Sequence, residues 1–258
     1  MSSTWRFSSR LLGLPVLALL ILFQASAPAD DTNPNPAVKP AEHKGTKARH
    51  DRFVERAKQG DVDVLFLGDS ITQGWEGAGK AVWKSRYDSM KAANFGIGGD
   101  RTEHVLWRLT EGKELDGIQP KVVVLMIGTN NMGASNPSKA GKVNEKSLTA
   151  SQIAEGVTAI VKEIHKQVPK TKILLLAIFP RAEMPDSPAR KKVEETNELI
   201  KKLDDGGKTV LYLDINNKLL DRDGALAPEI MPDYLHPNET GYKIWARAIE
   251  KPLAELLK

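Results

Sequence analysis

Four short stretches carry the residues with which this sequence could do chemistry. Gly68-Asp69-Ser70 offers a hydroxyl, Gly98-Gly99 two bare backbone N–H groups, Asn130 an amide, and Asp233-Tyr234-Leu235-His236 a carboxylate three residues from an imidazole. A serine hydroxyl is a poor nucleophile without a base. An imidazole can supply that base, and a neighbouring carboxylate can fix its tautomer and stabilise the imidazolium that forms. A developing oxyanion needs donors placed in advance. Ser70 N–H, Gly99 N–H and the Asn130 side chain could provide them. Together these are the parts of acyl transfer. Each stretch also has a plainer reading. Ser70 and Asp69 suit a helix N-cap and a turn, the glycines a tight turn, Asn130 a turn, and Asp233 with His236 a polar loop.

The histidines narrow the choice of base. The chain has five. His43 falls in a Pro- and Lys-rich segment, His50 on a helical pattern, and His104 and His165 on helical patterns that suit packing. Only His236 lies in a loop with a carboxylate three residues before it, a spacing that lets one turn of chain bring Asp233 to the ring. Gly96, Gly98 and Gly99 do not make a dinucleotide fingerprint, because Arg101 occupies the place of its last glycine.

The elements that must position these residues follow from the apolar pattern. Asp61–Leu67, Met90–Phe95, Val122–Ile127, Ile173–Phe179 and Thr209–Leu213 read as strands, several of them continuous apolar runs of the buried, parallel kind. Helices are expected at Lys47–Lys58, from Thr102 as cap to about Thr110, at Thr149–Gln167, from Pro188 to Leu203, and from Asn238 to Leu257. Alternation of this sort implies a doubly wound parallel α/β sheet. The candidate residues fall on loops after strands or in the last crossover, at the sheet edge where such folds bind ligands. Residues 132–148 form a long polar loop beside one strand end, long enough to suggest a functional segment.

Composition bounds the rest. The 258 residues suffice for one α/β domain, carry a formal charge of +4, and include no cysteine. Disulfides, thiol chemistry and an N-terminal lipid anchor on cysteine are thereby excluded. No basic stripe interleaved with aromatics argues for nucleic acid. Residues 1–29 resemble a secretory signal, with Arg6 and Arg10, an apolar run Leu11–Phe23 and Ala27-Pro28-Ala29 as a cleavage site. The run is too short for a membrane anchor, which takes about 20 residues. Export to the periplasm or medium is the expectation, with no stable membrane anchor after cleavage. Residues 30–46 read as a disordered linker, and the domain is expected over 47–258. No His/Asp cluster has metal-ligand spacing, so no metal or cofactor is expected.

The four stretches, in this order, resemble the blocks of the SGNH, or GDSL, hydrolases. The likeness extends through Asn94-Phe95-Gly96-Ile97-Gly98-Gly99-Asp100, His104–Leu109, Gly128-Thr129-Asn130-Asn131, Phe179-Pro180-Arg181 and Gly241-Tyr242. It is strongest for the branch that holds the catalytic subunits of platelet-activating-factor acetylhydrolase and bacterial secreted relatives, and covers about residues 50–257. The resemblance implies a flavodoxin-like α/β/α sandwich with a five-stranded parallel sheet and a metal-independent ester hydrolase. It implies Ser70 as nucleophile, His236 as base and acid, Asp233 as its partner, and Ser70, Gly99 and Asn130 as oxyanion hole. Ile71, Thr129 and Leu235 would wall a small acyl pocket suited to acetyl. A homodimer is a further expectation from that branch. The expected substrate is a small-molecule or carbohydrate ester, with Trp75 and Trp83 as candidates for stacking on sugar rings. A lysophospholipase or thioesterase of the same fold, and a noncatalytic carbohydrate- or partner-binding protein, remain as alternatives.

Overall fold

Each strand of the sheet places alternate apolar side chains on opposite faces, and both faces are covered. In a computed structural model, which describes residues 1–2, 35–133 and 147–258, β1 (Val64–Gly68) is buried along its whole length. Leu65 and Leu67 join one apolar cluster, whereas Val64 and Phe66 join another on the far face. That two-sided burial explains why the strand sequence is continuously apolar rather than alternating.

The other strands are β2 (Ala92–Gly96), β3 (Val122–Met126), β4 (Lys172–Leu176) and β5 (Val210–Leu213), all pairing in parallel in the order β2-β1-β3-β4-β5. This is the flavodoxin-like strand order, whose direction of winding switches between β1 and β3. The register aligns Gly68 with Gly96 and with Met126, so the loops after β1, β2 and β3 open side by side.

Helices α1 (Lys47–Lys58), α4 (Thr102–Leu109), α5 (Ala150–Gln167) and α6 (Pro188–Ile200) send apolar side chains into one cluster. On α5 the expected stripe of Ile153, Val157, Ile160, Val161 and Ile164 is wholly buried, with Thr149 and Gln152 as a reciprocal capping box. The short α2 (Ser70–Gln73), α3 (Lys80–Arg86) and α7 (Glu239–Leu256) belong to the other face. There Trp75 lies among Phe66, Tyr87, Tyr242 and Trp245. Among the described residues no helix is long and apolar enough to cross a membrane.

The expected elements occur with shifts of a residue or a few at their ends. Thr102 is the exception in role. It is the first helical residue of α4, not its cap; Arg101 precedes it, and His104 Nδ1 accepts the Arg101 N–H at 3.1 Å. The Thr102 hydroxyl instead donates to Ala37 O at 3.0 Å.

That bond belongs to the main correction. Residues 35–46, expected as disordered linker, lie as a strap along α4 and α5. Asn35 Nδ2 donates to Gln152 O at 3.0 Å, Ala37 is fully buried, and Ala41 N–H donates to Glu103 O at 3.1 Å. The strap has no apolar period because its contacts are single hydrogen bonds to successive partners rather than one packed face. Residues 35–46 accordingly belong to the same compact unit as the rest of the domain, which was expected only from 47. The expected signal segment 1–29, residues 30–34 and positions 134–146 of the long loop lie outside the described residues, apart from the first two.

Candidate active site

The turn after β1 is built around one buried carboxylate. Asp69 Oδ1 accepts the Ile71 N–H at 2.9 Å and so caps α2, leaving Ser70 as the first helical residue. Gly68 is needed because a Cβ there would come within 2.4 Å of Met126 O and closer still to the Thr72 hydroxyl. The tight passage delivers the Ser70 hydroxyl to the strand's carboxyl end, and the first-turn N–H of Ser70 has no intrahelical acceptor.

Across the edge, the segment before α7 folds on Asp233. Its Oδ1 accepts the N–H groups of Leu235 at 3.1 Å and His236 at 2.7 Å, while Oδ2 lies 2.6 Å from His236 Nδ1. Tyr234 adopts a left-handed φ of 58°, and its carbonyl is tied to Ala182 N–H at 3.0 Å. One carboxylate thus sets both the loop and the ring. His236 Nε2 faces Ser70 Oγ at 2.9 Å. Although burial pushes the Asp233 carboxyl up, the hydrogen bonds from the ring and main chain of His236 and its charge hold it below its usual value.

Gly98 N–H donates to Gln73 Oε1 at 2.7 Å, pinning the loop after β2 against α2, and a Cβ on Gly98 would lie 3.8 Å from Ser70 Cβ. Gly99 follows at φ +81°, a conformation that disfavours any side chain. Asn130, after β3, spends one N–H of its amide on Asp100 O at 2.9 Å. An amide nitrogen carries two N–H donors, so one is left over. Ile71, Thr129 and Leu235, the neighbours of Ser70, Asn130 and His236, are almost wholly buried. Tyr242 Oη donates to Ile71 O at 2.7 Å, and Arg181 Nη1 donates to Thr129 O at 2.6 Å.

The arrangement brings Ser70, His236 and Asp233 into one hydrogen-bonded chain, with Gly99 and Asn130 on the loops beside it. Such a chain can move a proton from hydroxyl to imidazole and hold the resulting cation. Of the two tryptophans offered for stacking on sugar, Trp75 is closed to any ligand. Trp75 is 1% exposed and is a core residue. Trp83 is partly buried and packs on Phe66 and Tyr87.

Several participants have no signal in the spacing of the sequence. His43 reaches Asp100 from the strap, Asp100 meets Arg108, and Arg108 meets Glu114, which also receives His50. Asp69 is fully buried and its Oδ2 has no hydrogen-bond partner among the described residues. Burial, opposed by the Ile71 N–H and assisted by the Asp100 charge, pushes it up to about 7.

His43, Asp100 and His104 also meet as a cluster of metal-ligating types that sequence spacing did not reveal. Their geometry does not converge on an ion. The two rings stack at 4.4 Å with 16° between planes. A metal bonds in the plane of an imidazole at about 2.0–2.1 Å, and planes so nearly parallel share no such point.

The family model described as GDSL-like Lipase/Acylhydrolase matches residues 66–244. The human platelet-activating factor acetylhydrolase IB subunit alpha1 is 35% identical over 229 residues, covering 86% of this chain and 91% of that subunit. The alpha2 subunit from Rattus norvegicus is 39% identical over 210 residues, covering 81% and 82%. Among solved structures, Axe2, an acetylxylan esterase from Geobacillus stearothermophilus, superposes with a TM-score of 0.56 at 22% identity, over 77% of this chain and 96% of that one.

Proposed function

The chain belongs to the GDSL-like lipase/acylhydrolase family, and from that premise we propose that it is an exported serine esterase that removes short acyl groups, acetyl first, from carbohydrate. The observation that carries the mechanism is the continuous Ser70–His236–Asp233 hydrogen-bonded chain. Ser70 Oγ attacks the ester carbonyl carbon as its proton passes to His236 Nε2. Asp233 holds Nδ1–H and the imidazolium. Ser70 N–H, Gly99 N–H and the remaining N–H of Asn130 receive the oxyanion. The tetrahedral adduct collapses, the alcohol leaves with the proton from His236, and the acyl group stays on Ser70. Water, deprotonated by His236, then attacks the acyl-serine and restores the hydroxyl.

The short acyl preference rests on Ile71, Thr129 and Leu235. All three are buried and adjoin the catalytic residues in sequence, so a long acyl chain would have to displace packed side chains. Support for acetyl comes from two sides, since the relatives by sequence are acetylhydrolases and Axe2 is an acetylxylan esterase. Export rests on the signal-like segment 1–29, and carbohydrate as the alcohol half on that extracellular setting together with the likeness to Axe2.

Hydrolysis of p-nitrophenyl esters from acetate to laurate, with Ser70→Ala alongside and chelator present, tests the reading. Fastest turnover on acetate and none in the variant is expected; undiminished turnover in Ser70→Ala would overturn the mechanism. Release of acetate from acetylated xylooligosaccharide then tests the alcohol half.

A further inference from the structure

Behind the Ser70–His236–Asp233 chain lies a second imidazole–carboxylate pair that the proposed steps do not use. His43 Nδ1 is 2.7 Å from Asp100 Oδ1. Asp100 is fully buried, and Arg108 Nη1 donates to its other oxygen at 2.6 Å. The other Arg108 donors are engaged by both oxygens of Glu114, by Phe95 O and, at 3.5 Å, by Gly68 O. A guanidinium therefore grips the Asp100 carboxylate from the core and an imidazole grips it from the surface. An ionised carboxylate only accepts, so His43 donates its Nδ1–H.

What Asp100 holds in turn is the side of the site where the oxyanion forms. Its main-chain oxygen takes one N–H of Asn130, which fixes the amide plane and leaves the other N–H for substrate. Its preceding residue is Gly99. A Cβ at Gly99 would lie 3.1 Å from His43 Cε1 and 3.7 Å from Nε2, so the ring covers that α-carbon. The ring is itself fixed by stacking on His104, and the His43 carbonyl accepts the Thr46 hydroxyl at 2.8 Å.

We propose that His43 is a positioning residue of the esterase. Carried in by the strap, it fixes Asp100 and Gly99 and so aims the Gly99 N–H and the Asn130 amide. The inference rests on the reading of Ser70 as nucleophile and of Gly99 and Asn130 as oxyanion donors. Those donors act on charge that develops only in the transition state, so loss of aim lowers kcat and leaves KM nearly unchanged.

The test uses the full chain and p-nitrophenyl acetate. His43→Ala should lower kcat about 10- to 100-fold, the scale of a displacement of about 1 Å in a catalytic group. His43→Asn, whose amide nitrogen sits where Nδ1 was, should recover most of that loss, whereas His43→Gln, which reaches the Nε2 position, should not. In an Asn130→Ala background the cost of His43→Ala should shrink, because one of the two aimed donors is already gone. Equal cost in both backgrounds, equal rates for Asn and Gln, or a change confined to KM would overturn the proposal. Should His43→Ala not fold, the Asn and Gln pair decides alone. Wild-type turnover abolished by Ser70→Ala but indifferent to His43 would overturn this inference and leave the esterase reading standing. No wild-type turnover on any ester or acetylated sugar would overturn both.

Discussion

Asp233 meets His236 within one loop, three residues apart, and the two side chains are 52% and 41% exposed. Asp100 meets His43 from 57 residues away, is sealed in the core, and is shared with a buried arginine. The first pair faces a hydroxyl and is open to solvent. The second is locked between two donors, with its main chain holding Asn130. In the proposed mechanism the same contact serves proton transfer where it is open and placement where it is closed. Variants of the two pairs should fail in different ways.

The largest expected effect is on turnover. His236→Ala should lower kcat by on the order of 10⁴–10⁶, as when a member of a catalytic triad is removed, with a melting temperature close to wild type because the side chain is half exposed. Steady-state hydrolysis and a thermal melt on the same preparation check both halves. Residual activity near wild type would remove the distinction between the pairs.

Next in size is stability. Asp100→Ala leaves Arg108 buried without one of its carboxylates, a change worth about 3–5 kcal/mol when a buried ion pair is broken. Asp233→Ala removes a half-exposed carboxylate that also accepts the Leu235 and His236 N–H groups, and should cost about 0.5–2 kcal/mol, the scale of a lost side-chain cap, while slowing turnover far more. Urea unfolding of the two variants makes the comparison directly. Equal destabilisation would mean that the exposed pair is structural as well.

Asn130 joins the two regions, so its loss should reach one and not the other. Asn130→Ala should lower kcat by about 10²–10³, as for a lost oxyanion donor, with little change in the urea midpoint. A large fall in stability instead would show that its bond to Asp100 O matters more to the fold than to the reaction.

The contrast between the pairs is also the contrast in what the sequence reveals. Strands such as Val122–Met126 announce themselves because both faces are buried and every residue must be apolar. Asp233 and His236 are readable because one turn of chain makes their contact. His43 is not, for its partner is set by how the strap crosses α4, and a Pro- and Lys-rich segment looks the same whether it is docked or loose. Trp75 misleads for the converse reason. An aromatic residue near a site is as apt for the core, and only its neighbours Phe66, Tyr242 and Trp245 decide. Arg108 and Glu114 sit on either side of a helix end, so no helical spacing links them.

Asp69 lies between the two regions and supplies the smallest effect. Burial pushes its carboxyl up to about 7 from an ordinary 3.8, the Ile71 N–H opposes that, the charge of Asp100 adds to it, and His236 and Arg181 pull it back. A carboxyl raised in the folded state binds its proton more tightly there than in the unfolded chain. Between about pH 4 and pH 7 the folded protein therefore holds more protons, and its stability falls as pH rises through that window. Asp69→Asn keeps an oxygen to cap α2 and carries no charge at any pH, and Asn and Asp are comparable caps. The wild-type melting temperature relative to Asp69→Asn should accordingly decline between pH 5 and pH 8, by a few degrees for a change of about 1–2 kcal/mol in a chain of this size. A difference that stays flat across the range would mean that Asp69 is already ionised at pH 5 and held so by Arg181. The negative charge beside Ser70 would then belong to the resting site, and the open pair would be facing two carboxylates rather than one.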